Sequence, residues 1–311
     1  MDLMSLISKM ITFIALMLVG YVGARRRLFD GAFARSLSQL VMNVFLTCTV
    51  INSVLSERPE FYGGPPPHLL HVLLMLTLAM LITYCGAAAC TRLFRIKGVN
   101  APVFELLAGV PNNMFIGLPL LQGLYGTTAV LYCALSCIPF NVLFYSYGVW
   151  RLKSCKELTG GGIRVQDVLT VPFAATLVAL VIFILDISLP TVLTDLISSA
   201  SAATMPLSMI VIGATLGGIP LTEAFREKQA YLLCALRLAV LPAIAWLILG
   251  ALTQNALLLK TCVILAACPS AVVVTVLALQ YDYDASFSSK GILVTTVLSM
   301  ITLPVWALIL G

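Results

Sequence analysis

The chain has 311 residues, of which 60% are hydrophobic and only 10% charged, with a mean hydropathy of +1.05. That balance excludes an ordinary water-soluble domain and marks an integral membrane protein. The net charge of +5 arises from basic residues gathered in a few short turns, a topology signal rather than a nucleic-acid footprint.

Crossing the hydrocarbon core takes about 20 apolar residues. Ten such runs can be marked: Leu3 to Ala24, Ser36 to Leu55, His68 to Leu93, Ala101 to Tyr125, Ala129 to Leu152, Val168 to Leu185, Leu193 to Gly217, Ala230 to Gly250, Ala256 to Gln280 and Phe287 to Leu310. The connections are short, so no soluble catalytic domain is expected and function must be built from the helices themselves.

Asp2 precedes the first run and Arg25, Arg26 and Arg27 follow it, the reverse of a secretory signal, so it reads as a retained span. The second run carries Asn43 and Asn52, costly amides that either line a site or bond across helices. The third opens after Pro65, Pro66 and Pro67 with His68 and His71 at i and i+3. No third ligand accompanies them, which favours an outer-rim position over a metal site, and no cofactor is expected. The fourth run holds GVPNNMFIGLP, Gly109 to Pro119, two prolines and two adjacent asparagines where a membrane helix should be unbroken. The fifth includes Asn141 and leads into SCKELTGGGIRVQD, Ser154 to Asp167, the most polar connection. Arg237 lies well inside the eighth run, and Pro269 interrupts the ninth in CPSAVVVTVLALQY. The nine cysteines include no CxxC pair and read as small apolar packing residues. Gly20, Gly23, Gly213, Gly217 and Gly218 read as close-packing helix contacts.

Placing the odd-numbered connections inside gathers fourteen of the eighteen Lys and Arg residues on that face, which predicts both termini on the outer face of a cell membrane. Ten spans divide as five plus five around the Ser154 to Asp167 linker, giving 1–153, 154–167 and 168–311. An odd number of spans per half makes any structural repeat inverted. The interruptions agree: Pro111 and Pro269 lie 158 residues apart, close to the spacing between the first and sixth spans.

A proline inside a helix removes a backbone donor and clashes with the carbonyl four residues back, and lipid offers no substitute partner. If both segments are truly interrupted, the halves beginning near Asn112 and near Ser270 present unpaired N–H groups and positive dipole ends, which together favour an anion. Asn112 and Asn113 add side-chain donors and acceptors at the same depth. The competing reading of each proline is a simple kink, since Pro and Gly are common in membrane helices.

VPNNMFIGLPLLQGLYG closely resembles the fourth-helix motif of the auxin efflux carrier family. LVGYVGARRRLF is similar to that family's first helix and basic turn, MPLSMIVIGATL to its seventh, RLAVLP to its eighth, and CPSAVVVTVLALQYDYDASFSSKGILVTTVLSMITLPVW to its ninth and tenth, closer to the bacterial branch. The resemblance implies an all-α membrane fold of two inverted five-helix repeats, similar to the bile acid symporters, with crossed, broken helices 4 and 9. It implies a scaffold of helices 1, 2, 6 and 7, which also forms a homodimer contact, and a transport domain of helices 3, 4, 5, 8, 9 and 10. It implies carriage of a small organic anion such as malate, malonate or an auxin-like acid, with Pro111, Asn112, Pro269, Ser270 and Ala271 at the site. Thr47 stands where a Pro is usual in the second helix, and the long cytoplasmic loop of the plant branch is absent.

Two intramembrane charges stand out, each costing about 2.5 to 3.5 kcal/mol at a helix centre unless partnered. Arg237 either raises the potential near an anion site or pins neighbouring helices through backbone carbonyls. Glu105 either couples transport to protons or ties helices together near the inside connection. Asn43 is a candidate for lining the site from the scaffold side. The expected function is therefore an alternating-access carrier driven by Na+, H+ or the membrane potential. The alternatives are a channel or sensory scaffold of the same fold, or an intramembrane enzyme, for which no mid-depth histidine or paired aspartates are present. No Walker motif indicates direct ATP coupling.

Overall fold

The computed structural model describes residues 3–29, 31–56, 67–96, 98, 100–155, 171–185, 187, 189–218, 224–283 and 285–311. Most of the Ser154 to Asp167 linker and the Pro65–Pro66 pair lie outside these, as does the His68 side chain. Among the described residues every regular element is a helix. Six helices are long and apolar enough to cross a membrane: Ala32–Leu55, Leu69–Leu93, Thr127–Cys155, Thr191–Gly217, Gln229–Leu252 and Ser286–Leu310. Three shorter apolar helices, Ile11–Arg25, Phe173–Ile182 and Ala256–Ala267, accompany them. Without water every backbone N–H and C=O needs an internal partner, so uninterrupted runs of Leu, Val, Ile and Ala settle as helix. Leu70, Val192, Leu247 and Ile301 are exposed on these helices, as side chains against acyl chains are.

In chain order the helices are α1 (Leu3–Arg25), α2 (Gly31–Leu40), α3 (Leu46–Ser56), α4 (Pro67–Leu93), α5 (Ala101–Gly109), α6 (Leu118–Tyr125), α7 (Thr127–Leu143), α8 (Val149–Cys155), α9 (Val171–Ile184), α10 (Thr191–Gly217), α11 (Lys228–Ala235), α12 (Leu241–Leu252), α13 (Ala256–Ala267), α14 (Val273–Gln280) and α15 (Ala285–Leu310). Four wide, π-helical turns are inserted among them: Val41–Phe45, Asn113–Gly117, Phe144–Gly148 and Leu236–Val240. They carry Asn43, Asn113, Tyr147 and Arg237 respectively, so each holds a polar side chain on an apolar helical segment. Such turns mark functional or strained positions more often than chance. Two of them run into helices with proline in the first turn, Pro119 and Pro242, where the ring needs the preceding carbonyl moved aside.

The chain forms two compact units. The first comprises Met1–Leu73, Met114–Ile138 and Leu169–Ile219. Its main contact lays α1 along α10, and the glycines permit the close approach: a Cβ on Gly20 would lie 2.1 Å from the Ile210 carbonyl oxygen, and one on Gly213 1.9 Å from that of Met17. Gly217 packs the same way against Tyr21 and Ala24, whereas Gly23 faces the Phe29 ring and Gly218 has only its own preceding turn nearby. The glycine reading therefore holds for three of the five as helix–helix contacts. A buried hydrogen bond of 2.6 Å between the Thr49 and Thr204 hydroxyls ties α3 to α10.

The second unit comprises Leu74–Asn113, Pro139–Val168 and Pro220–Gly311. Its centre is α5, all nine of whose residues are buried, packed against α8, α11, α14 and α15. Phe104, Leu107, Phe144, Leu233 and Val274 belong to one apolar cluster around it. None of the nine cysteines forms a disulfide, and five of them are buried, consistent with packing roles.

Candidate functional site

The fourth and ninth apolar segments are both interrupted, and the interruptions meet within the second unit. Helix α5 stops at Gly109 because Val110 precedes a proline, a position pushed out of the helical region; its φ and ψ are −98° and 110°. Cys268 precedes Pro269 and responds alike, with φ −59° and ψ 146° ending α13. The two short extended stretches then pair antiparallel at Pro111 and Ser270. The Asn112 N–H donates to the Pro269 carbonyl at 2.8 Å, and the Ala271 N–H donates to the Val110 carbonyl at 3.1 Å. Helical structure resumes at Asn113 on one side and Val273 on the other.

The carbonyls left over at the end of α5 all find donors. The Leu106 oxygen accepts from the Val110 N–H at 2.8 Å, and the Leu107 oxygen from the Ser270 hydroxyl at 2.7 Å. The Ala108 and Gly109 oxygens accept from Arg237 Nη1 at 3.0 and 3.4 Å. Arg237 also donates through Nε to the Cys268 oxygen at 2.8 Å. One guanidinium therefore caps the C-terminal ends of two half-helices belonging to distant parts of the sequence. It is 0% exposed, forms no ion pair among the described residues, and its Nη2 has no hydrogen-bond partner there.

This geometry corrects one expectation. The amides at the crossing are not bare: those of Asn112 and Ala271 bond across to the other segment, and that of Ser270 donates to Thr295 Oγ1 at 3.3 Å. The extended stretches satisfy one another because each proline has removed the helical alternative. What remains is the start of each second half: on the ninth-segment side the Val274 and Thr275 N–H groups already donate to the Ala271 and Val272 carbonyls at 3.2 and 3.0 Å, so that half brings a positive helix end rather than free donors. The Asn112 and Asn113 side chains sit there, 8% and 4% exposed.

The sequence-derived candidates are thus placed unequally. Pro111, Asn112, Asn113, Pro269, Ser270, Ala271 and Arg237 come together at the crossing. Glu105 belongs to the same unit, one turn before the end of α5, but its oxygens are committed: it accepts from the Tyr147 hydroxyl and from Arg151 Nε, the latter at 3.1 Å. That arrangement ties α5 to α8. Asn43 lies in the first unit at an exposed position. Sequence reasoning missed Thr295, Tyr147 and Arg151. Thr295 sits in an ordinary apolar run, and Tyr147 and Arg151 differ from Glu105 by more than forty positions, so no local spacing announces the contact. Among the described residues no three His, Cys, Asp or Glu side chains are grouped as a metal would require.

Comparison with known proteins yields a family match over nearly the whole sequence. A model described as "membrane transport protein" matches residues 5–158 and 163–307. The chain is similar to an "uncharacterized transporter" of Methanothermobacter thermautotrophicus, with 28% identity covering 96% of each chain. It is 22% identical to the "uncharacterized transporter YfdV" of Escherichia coli, again over 96% of each. A further "uncharacterized transporter", from Methanocaldococcus jannaschii, is 23% identical over 95% of this chain and 96% of its own.

Proposed function

Because the chain belongs to the membrane transport protein family of the auxin efflux carriers, we propose that it is a secondary or potential-driven carrier of a small organic anion. Family and relatives are transporters rather than enzymes, and it is a multi-pass membrane protein by its apolar helices. The carboxylate reading rests on the crossing: two interrupted segments, with second halves restarting at Asn113 and Val273, bring positive helix ends and the buried Asn112 and Asn113 side chains to a negative group. The substrate we propose is a mono- or dicarboxylate such as malate, malonate or an auxin-like acid.

The architecture we propose for it is ten spans in two inverted five-helix repeats, 1–153 and 168–311, joined by a cytoplasmic linker. Both termini face outward across a cell membrane, with Na+, H+ or the potential as driving force and a homodimer contact through helices 1, 2, 6 and 7. In support, the helical segments of those four spans all fall in the first compact unit, which also takes α6 and most of α7 from the fourth and fifth spans. The second unit, carrying the crossing, is then the moving part in alternating access. A potential negative inside favours anion export by about 2.3 kcal/mol per charge at 100 mV.

Uptake of labelled malonate and malate into proteoliposomes tests the reading. A carrier gives saturable uptake that is accelerated by the same anion on the far side. Asn112→Ala is expected to abolish that uptake while leaving apparent thermal stability near wild type. Linear flux, or none with any carboxylate, replaces this reading with a channel or a sensory scaffold. Loss of folding in Asn112→Ala reassigns the residue to packing.

A further inference from the structure

We propose that Arg237 is the fixed positive charge of the crossing, a positioning residue that neutralises the C-terminal ends of α5 and α13 so that the opposite, positive ends govern the site; this rests on the organic-anion reading above. A helix end carries about half an elementary charge, negative at the C-terminus. At the crossing two such negative ends approach two positive ones, and left alone they largely cancel for any ligand nearby. Arg237 reaches both negative ends at once, Nε to Cys268 and Nη1 to Ala108 and Gly109. Its unit charge offsets two half-charges, and the field of the second halves is left unopposed.

Three features set this residue apart from an ordinary helix staple. An intramembrane arginine pairs with an acid, bonds backbone carbonyls or reaches for the interface; this one is wholly buried, forms no ion pair among the described residues and relies on carbonyls alone. All three of its bonds go to helix-end carbonyls, and Nη2 is left over, so hydrogen bonding alone does not use the whole fork. Finally, it sits on a wide turn, Leu236–Val240, directly before the Pro242 helix start, a local distortion that delivers one side chain between two distant segments. A neutral amide placed there also bonds carbonyls, so the charge is what distinguishes arginine.

The test measures malonate binding through thermal stabilisation of the purified protein, using Arg237→Gln, which keeps a donor without charge, and Arg237→Lys, which keeps charge without the fork. The expected result is malonate affinity weakened on the order of tenfold or more in Arg237→Gln, and within about threefold of wild type in Arg237→Lys, whatever each does to the ligand-free melting temperature. Unchanged malonate affinity in Arg237→Gln overturns the inference. So does equal loss in both variants, which points to fork geometry, and so does failure of both to fold, which makes Arg237 a folding residue alone. A wild-type protein that no carboxylate stabilises overturns the organic-anion reading itself and this inference with it.

Discussion

Proline does not decide by itself whether a membrane helix breaks. Pro139, Pro206 and Pro304 each lie within a continuous helix, whereas Pro111 and Pro269 end theirs. The difference is the partner: at the crossing each extended stretch donates an N–H to a carbonyl of the other, which repays the bonds the rings removed. Ser270 is the residue where that compensation is most exposed to test. Its hydroxyl is the donor to the buried Leu107 oxygen, and leaving a buried acceptor unsatisfied costs about 1–3 kcal/mol. Ser270→Ala is therefore expected to lower the apparent melting temperature by several degrees, read by fluorescence unfolding in detergent, while Ser270→Thr retains the bond if its methyl fits. An unchanged melting temperature in Ser270→Ala shows that the Leu107 carbonyl has found water instead. The Pro-Asn-Asn cluster was legible from the chain alone because its cost in lipid is local. The destination of the Ser270 hydroxyl was not, since 163 residues separate it from its acceptor.

At the scale of elements, the ends of the apolar runs were readable to within a few residues, because composition changes sharply where lipid gives way to water. The wide turns were not readable. A π-helical turn adds one residue without altering composition, and Asn43, Asn113, Tyr147 and Arg237 look alike in sequence whether the helix around them is regular or not. Close packing lies between these cases. Small residues on two helices suggested an approach, but only the backbone shows which pairs touch. Gly20 meets the Ile210 backbone, with no flexible side chain to move aside, while the nearest atom to a Cβ on Gly250 is the Leu259 Cδ2 at 3.8 Å. Gly20→Ala is thus expected to force α1 from α10 at a cost of about 1–3 kcal/mol or more, seen as loss of monodisperse protein on size-exclusion chromatography. Gly250→Ala, in the last turn of α12, is expected to be neutral or to gain a part of the roughly 1 kcal/mol by which alanine exceeds glycine in helix propensity. Equal behaviour of the two variants contradicts the close contact of α1 with α10.

For the molecule as a whole, the linear halves and the compact units divide the chain differently. Each unit draws on three separate stretches, and the boundary cuts the fourth segment between Asn113 and Met114. A sequence read in order shows repeats; it does not show which segments cluster, because clustering depends on contacts across more than a hundred residues. Orientation, by contrast, is a property of the whole chain that local charge carries, with fourteen of the eighteen basic residues on one predicted face. Cys155 makes this measurable. It is exposed at the end of α8, two residues after Lys153, on the face the basic residues assign to the cytoplasm. The other exposed cysteine, Cys85, lies within α4, on an apolar run. A membrane-impermeant maleimide is expected to leave Cys155 unmodified in intact cells and to label it in inside-out vesicles, with Cys155→Ser removing the vesicle signal. Labelling from the outside of intact cells reverses the orientation and puts both termini on the cytoplasmic side.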